Sequence, residues 1–166
     1  MREQVWGLLC NTKFKGFVLS ILVIRFQKWD RNINIFLAVA SSGSIAAWVV
    51  WNRFPFVWGA IIASSQVITV IKPYFPYFKL VNELNIKCNK VDLIDIDLER
   101  LWFKIQTNRI SEDEYAEQYY EYRKQIVDIF NFADDSIFDV GTEMENRANL
   151  KMQTFLKTNY SINITV

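Results

Sequence analysis

Residues 33–51 read INIFLAVASSGSIAAWVVW, and residues 54–71 read FPFVWGAIIASSQVITVI. Neither stretch contains a charged side chain. As α-helices they would each rise roughly 27–28 Å, close to the thickness of about 30 Å of a bilayer core. The two stretches therefore predict two transmembrane helices. The alternative is a pair of buried helices in a soluble protein, which would need a much larger domain to cover them.

The ends of these stretches carry residues that prefer the membrane interface. Tryptophans surround the short turn at residues 52–55, and one basic residue marks each opposite end: Trp48, Trp51, Trp58, Arg31 and Lys72. This distribution is typical of an aromatic belt at one face of a bilayer. We therefore predict a transmembrane hairpin, residues 32–73, whose turn lies at that face.

The basic residues beside the two stretches indicate their orientation. Those outside the hairpin are Arg2, Lys13, Lys15, Arg25, Lys28, Arg31, Lys72, Lys79, Lys87 and Lys90, whereas the turn holds Arg53 alone. Because positive charge is retained on the cytoplasmic side, both termini are expected to be cytoplasmic, with the chain in the inner (plasma) membrane of the cell.

Residues 1–31 predict an amphipathic N-terminal helix that lies at the interface and leads into the first span. Its apolar side would comprise Phe14, Val18, Ile21, Leu22 and Trp29. Packing of this helix on the cytoplasmic domain is an equal alternative. A signal peptide with residues 17–24 as its apolar region is disfavoured, because charged residues follow at once where a cleavage site should be.

Residues 74–166 predict a cytoplasmic helical domain, so the expected fold class is all-α. One long helix carries Leu80, Leu84, Val91, Ile94, Leu98, Leu101 and Ile105 at steps of three and four residues. Residues 107–109 end it, and Ser111 with Glu114 forms a capping box for the next helix. That helix presents one face for an antiparallel pairing: Tyr115, Tyr119, Tyr122 and Ile126. Residues 131–141 predict a connector, and residues 143–157 a short third helix.

Composition argues against enzyme chemistry. The chain has no histidine, which excludes Ser-His-Asp triads and HExxH zinc sites, and its two cysteines, Cys10 and Cys88, lie far apart. None of the five glycines stands in a phosphate-binding motif. We expect no catalytic residue, metal or cofactor. The carboxylates of Asp95 and Glu99 lie one turn apart, a spacing that usually marks a solvated helix face.

Charge differs between the two halves of the chain. Residues 1–73 hold eight Lys or Arg and two acids, whereas residues 74–166 hold eleven and sixteen. A basic, apolar half suits an anionic membrane surface, and an acidic half suits a solvated domain. Direct binding to nucleic acid is not expected.

The two spans contain small and polar residues that predict close helix contacts. The small ones, expected to form a packing or oligomer face, are Ala40, Gly43, Ser44, Ala47, Gly59 and Ala63. The polar ones, expected to bond between helices or line a pore, are Ser41, Ser42, Ser64, Gln66 and Thr69. Small faces and side-chain hydrogen bonds hold helices together in lipid. Contacts within the hairpin and contacts between copies remain equal alternatives.

The order of these parts, with KWDRNINIFLAVASSGSIAAW at 28–48, IKPYFPY at 71–77 and ENRANLKMQTFLKTNY at 145–160, resembles the SLATT group. These are two-transmembrane effector domains associated with bacterial nucleotide-sensing and SLOG-type defence genes. The resemblance implies an oligomeric, pore-forming membrane effector that disrupts the membrane when a separate sensor protein is triggered. Two alternatives remain: a non-conducting anchor or scaffold for a cytoplasmic partner, and an accessory membrane protein of a nucleic-acid-targeting immune system.

Overall fold

The computed structural model describes residues 1–42, 55–71, 77–131 and 141–161. These residues form helices and contain no strand, so the all-α prediction is confirmed for the part of the chain described. The helices are α1 (Arg2–Ser42), α2 (Pro55–Ile71), α3 (Tyr77–Gln106), α4 (Glu112–Phe130) and α5 (Thr142–Tyr160). Residues 52–54 of the predicted turn and most of the predicted connector lie outside the described residues.

The helices divide the chain into two compact units. Residues 1–23 and 84–166 form one, called here the core unit, and residues 24–83 form the other, called here the apolar unit. The sequence-based division instead placed borders after residues 31 and 73. The structural borders fall inside α1 and α3, where no change of secondary structure marks them.

The first half of α1 belongs to the core of the core unit. Its buried residues recur at steps of three and four along one face, at Val5, Leu9, Thr12, Gly16, Leu19 and Val23, and Val18 and Leu22 are buried beside them. Val5 forms one buried cluster with Leu101, Ile105, Tyr115 and Tyr119 of the later helices. The other buried apolar side chains of the later helices are Leu84, Val91, Ile94, Leu98, Ile126, Ile129, Met144, Ala148 and Leu156. The structure therefore has this segment packed on the acidic helices, rather than lying free at an interface.

The buried face of α1 differs from the one predicted. Val18 and Leu22 are buried as expected, but Trp29 is 60% exposed. The polar Thr12 is buried, and its hydroxyl donates to the Leu8 carbonyl at 2.8 Å. That bond satisfies the hydroxyl within its own helix, which explains how a polar residue fits the core.

The join between α3 and α4 lies where the sequence placed it. Asn108 has φ 53°, in the left-handed region, and its N–H donates to the Ile105 carbonyl at 3.2 Å. The Arg109 N–H donates to the Lys104 carbonyl at 2.9 Å, which completes a Schellman end. The Glu114 N–H then donates to Ser111 Oγ at 3.4 Å and caps α4. The predicted helix end and the serine cap are confirmed.

Leu98 is fully buried, so we predict that Leu98→Asp destabilises the core unit by roughly 3–5 kcal/mol, because it buries an unpaired charge. Leu93 on the same helix is 64% exposed, and Leu93→Asp should cost about 0.5 kcal/mol or less. Urea unfolding of the full chain in mild detergent, followed by far-UV circular dichroism, measures both. Equal midpoints for the two variants would contradict the assigned packing.

Candidate functional site

The surface of α2 has the opposite polarity to that of a helix in a soluble protein. Phe56 is 92% exposed, Val70 is 65% exposed, and Val57 and Val67 are each more than half exposed. Among the α2 side chains that the structure describes, Ser65 alone is buried. α2 therefore presents large apolar side chains on its surface, and the described side chain that it buries is a serine.

Only a narrow stripe of α2 packs inside the apolar unit. It consists of Ile61, Ser65 and Ile68, which recur at steps of four and three residues. Ile68 lines a cavity of about 340 Å³ together with four α1 residues: Trp29, Asn32, Ile33 and Phe36. The second half of α1 and α2 therefore pack side by side, and most of the surface of α2 is left uncovered by the described residues.

Two of the three hydroxyl groups of α2 are satisfied within the helix. Ser65 Oγ donates to the Ile62 carbonyl and Thr69 Oγ1 to the Ser65 carbonyl, each at 2.8 Å. Ser64 and Gln66 are exposed. An exposed glutamine on a charge-free helix is the feature of this surface most costly to place against lipid.

The structure separates the small residues that the sequence grouped together. Ala40 is half-buried in the apolar unit, whereas Gly59 and Ala63 are exposed on α2. A Cβ atom added at Gly59 would meet no atom within 4 Å. Gly43, Ser44 and Ala47 lie outside the described residues. Ser41 and Ser42 belong to the last turn of α1.

The tyrosine-rich face of α4 lies in the core. Tyr115, Tyr119 and Ile126 are each at most 8% exposed. Tyr115 and Tyr119 belong to a buried cluster of their own chain that includes Val5, and Tyr122 packs against that cluster. A docking surface for another protein would therefore have to use other residues of this unit.

The burial of Asp95 corrects the expectation that Asp95 and Glu99 lie together on a solvated face of α3. Its side chain is only 3% exposed, whereas that of Glu99 is 38% exposed, so the expected solvated face does not include Asp95. The sequence does carry a signal, because Asp95 falls on the apolar stripe between Val91 and Leu98. Within the described residues, no three Cys, Asp or Glu side chains form a metal-binding group.

A lysine from α1 neutralises part of this buried charge. Lys13 Nζ donates to Glu99 Oε1 at 2.9 Å and lies 3.8 Å from Asp95 Oδ2. It also stands 4.7 Å from the centre of the Phe155 ring, so α1, α3 and α5 meet at this lysine. Lys13 Nζ lies closer to the Glu99 oxygen than to the Asp95 oxygen, so its attraction for the Asp95 carboxylate is the weaker of the two.

Glycine allows α1 to approach α3 at this point. A Cβ atom at Gly16 would lie 3.1 Å from Val91 Cγ1 and 3.5 Å from Asp95 Oδ2. Because the two helices approach so closely, little space is left around the Asp95 carboxyl group. Its Oδ1 atom has no hydrogen-bond partner among the described residues. Burial of an unsatisfied charged oxygen is costly, which favours the protonated carboxyl.

Burial raises the pKa of the Asp95 carboxyl from 3.8 to about 7. The attraction of Lys13 opposes this rise, and the neighbouring carboxylates of Asp92 and Glu99 add to it. Burial outweighs the lysine because the ion pair is long and shared. The side chain therefore changes its charge close to neutral pH.

This carboxyl predicts a specific pH dependence. The folded chain keeps the Asp95 proton up to about pH 7, whereas the unfolded chain loses it near 3.8. Stability should therefore fall as the pH rises between these values, by at most about 1.4 kcal/mol per pH unit, and level off above pH 7. Asp95→Asn should remove this component.

Urea unfolding of the full chain in detergent at pH 5 and pH 8 measures the effect. Asp97→Asn is the matched control, because the Asp97 side chain is 42% exposed on the same helix and does not contribute to the pKa shift of Asp95. The control should keep the pH dependence of the original chain, and Asp95→Asn should flatten it. The same pH profile for the original chain and both variants would contradict the assignment.

Among the described residues, Arg2–Ala40 is the one helix long and apolar enough to cross a membrane, with a mean hydropathy of 1.5 in its best window. Buried core helices and signal sequences meet the same criterion. The apolar helix at Gly59–Ile71 is shorter. Comparisons with protein-family models, curated proteins and solved structures gave no match to this chain.

Proposed function

We propose that the chain is a membrane protein whose apolar unit lies in the bilayer and which forms an oligomeric pore. The observation that carries the proposal is the reversed polarity of α2, which exposes Phe56 and Val70 and buries Ser65. In water, this much uncovered apolar surface would cause aggregation. In lipid, the same surface costs nothing, and a buried serine bonded to its own helix is well accommodated.

The proposed topology is a hairpin of two spans with both termini in the cytoplasm. The cavity shared by Ile68 and the α1 residues around Ile33 supports it, because it brings the end of α2 beside the start of the first charge-free stretch. The second half of α1 also exposes apolar side chains, with Ile35 54% and Val39 63% exposed. The excess of basic residues outside the hairpin supports its orientation.

Self-assembly is proposed because a two-helix hairpin leaves polar groups that lipid cannot satisfy. Gln66 is exposed on a helix that otherwise presents apolar and small residues. Another copy of the chain can bond to this amide, or several copies can enclose water beside it. Gly59 and Ala63, both exposed and one turn apart, offer a surface where neighbouring backbones can approach closely.

The proposed biological role is that of an effector in bacterial antiviral or conflict defence, which disrupts the membrane when a sensor protein is triggered. The resemblance to SLATT domains supports this role. The core unit, with its own buried interior, would supply the cytoplasmic part that responds to the sensor.

A second candidate is a non-conducting anchor that holds a cytoplasmic partner at the membrane. One observation favours it: the outer side of α3 exposes Ile86, Leu93, Ile96 and Phe103, each about half exposed or more. These residues recur at steps of three and seven, so they share one side of the helix. Conductance separates the two candidates.

Cysteine labelling tests the topology. In a chain with Cys10 and Cys88 replaced by serine, a cysteine at Arg53 should react with a membrane-impermeant maleimide in intact cells. A cysteine at Thr158 should react only after permeabilisation, because it would lie in the cytoplasm. The reverse pattern would show that the orientation is wrong, and labelling of both sites in a soluble fraction would remove the membrane proposal.

Gly59→Leu tests assembly through α2. The space beside Gly59 is open in a single chain, so leucine should leave each copy folded but overfill a contact between copies. We expect the dissociation constant of the oligomer in mild detergent to rise roughly tenfold or more. Val67→Leu, which also enlarges an exposed residue of α2, is the control. Equal effects of the two changes would contradict a contact at Gly59.

Gln66→Leu tests the pore. In liposomes, the original chain should conduct ions, and the variant should assemble equally well but show a changed conductance, because the amide is replaced where the lumen is proposed. Val67→Leu should conduct as the original chain does. Absence of conductance from an assembled original chain, measured with and without the sensor, would favour the anchor function.

A further inference from the structure

The side of α3 that faces away from the core carries a regular apolar seam. Four large apolar side chains on it are each about half exposed or more: Ile86, Leu93, Ile96 and Phe103. Asn89 and Arg100 are exposed in the two longer gaps between them. The six residues, called here the α3 seam, recur at alternating steps of three and four. This is the spacing of the contact positions in a coiled coil.

The opposite side of α3 is already packed. Its buried residues include Leu84, Val91, Leu98 and Ile105, which recur every seven residues in the core unit. The whole α3 seam also belongs to the core unit, and it extends about 25 Å along the helix axis. The described residues leave it uncovered, and a seam of this spacing fits one further α-helix.

The α3 seam is complementary to itself when two copies lie antiparallel. A two-fold axis between residues 94 and 95 places Ile86 of one copy opposite Phe103 of the second copy. The same axis places Leu93 opposite Ile96 of the second copy. Each apolar residue of the α3 seam therefore meets an apolar residue, both at the ends of the seam and at its middle.

The polar members of the α3 seam favour this direction and this register. Arg100 lies opposite Asn89 of the second copy, whose amide oxygen can accept a bond from the guanidinium. In a parallel pair, equal positions meet, so Arg100 would lie against a second Arg100. A shift of the antiparallel pair by one heptad would place Arg100 against Ile96 in one direction, and Leu93 against Asn89 in the other.

The charges beside the α3 seam also suit two antiparallel copies. In this register Lys90 lies next to Asp97 of the second copy, and the two-fold axis repeats the pair. On the other flank, Asp92 lies next to Glu99 of the second copy, which is a repulsive pair. Lys13 Nζ donates to Glu99 Oε1 at 2.9 Å within one chain and offsets that charge. One flank is therefore attractive, and the other is partly neutralised.

We propose that two copies of the chain pair through the α3 seam as an antiparallel, two-fold symmetric dimer. The contact lies in the core unit, so it is separate from the assembly proposed through α2 and does not rest on the membrane location. It also gives an occupant to the side of α3 that the anchor function would offer to another protein.

Disulfide formation tests the direction of the pair. The full chain in mild detergent carries Cys10→Ser and Cys88→Ser, with Ile86→Cys in one preparation and Phe103→Cys in a second that bears a larger tag. After mixing, the disulfide between the two preparations should form at least about ten times faster than either forms with itself, because a disulfide needs Cα atoms within about 7 Å. Equal positions lie about 25 Å apart in the antiparallel pair.

The control for random collision is Val127→Cys, 63% exposed on α4, mixed with Phe103→Cys. It should form the mixed disulfide no faster than the self-disulfides. Self-disulfides at both Ile86→Cys and Phe103→Cys would show a parallel pair. Absence of any disulfide between copies would show that the α3 seam has a different occupant. Either result would overturn the proposal.

Charge reversal tests the register. Lys90→Glu and Asp97→Lys each place like charges across the contact twice, so each should raise the dissociation constant of the dimer about tenfold in sedimentation velocity. The chain with both changes regains opposite charges and should return to within about threefold of the original value. Lys124→Glu, at an exposed position of α4, should leave the dissociation constant unchanged. A double variant as weak as the single variants would contradict the register.

Gly59→Leu separates this dimer from the proposed pore. The same measurements are repeated in that chain, in which the contact proposed through α2 is weakened. A mixed disulfide that persists there, together with absence of conductance in the original chain, would support the dimer and contradict the pore. Loss of the mixed disulfide in that chain would show that assembly through α2 alone brings the copies together, and it would overturn this inference.

Discussion

The apolar unit has more apolar surface than its own helices can cover. α2 has no charged residue, and the described part of the chain covers only its stripe at Ile61, Ser65 and Ile68. The free energy of exposing apolar surface to water is about 25 cal/mol per Å², so side chains such as Phe56 and Val70 require a cover. In the proposed membrane location, lipid provides that cover. The topology and the assembly that we propose both depend on this requirement.

The core unit follows the opposite rule, with leucine, isoleucine and tyrosine inside and charges outside. Its exception is Asp95, which lies where α1, α3 and α5 meet. Lys13 offsets the carboxylate only partly, so the packing of α1 on α3 is linked to a proton near neutral pH.

Much of the fold could be predicted from the sequence. The three-and-four-residue steps from Leu84 to Ile105 indicate one long helix, and Asn108 and Ser111 mark its end and the next start through short-range chemistry. These signals depend on neighbouring residues, so they can be recognised in a single sequence. The packing of the N-terminal helix depends instead on residues far along the chain. Its apolar face suits lipid as well as it suits α3. Contacts with residues far along the chain, such as those of Val5 with Leu101 and of Lys13 with Glu99, decide between the two.

The candidate site was predictable to a smaller extent for the same reason. The absence of charge in residues 54–71 indicated the surface, but periodicity alone did not assign Ala40 to the inside and Gly59 to the outside of the apolar unit. The one-turn spacing of Asp95 and Glu99 predicts a solvated helix face, and that prediction is wrong for Asp95. Its burial depends on residues of α1 about eighty positions earlier in the chain, a relation that spacing within α3 does not contain.

Spin labels along α2 test the central claim most directly. Single labels at Phe56, Ile62 and Val70, exposed apolar positions near the start, the middle and the end of α2, are measured by electron paramagnetic resonance in reconstituted bilayers. If α2 faces lipid, relaxation by oxygen should be greatest at Ile62, and relaxation by a water-soluble nickel complex should be weakest there. Strong relaxation by the nickel complex at all three positions, with no maximum for oxygen, would contradict the account.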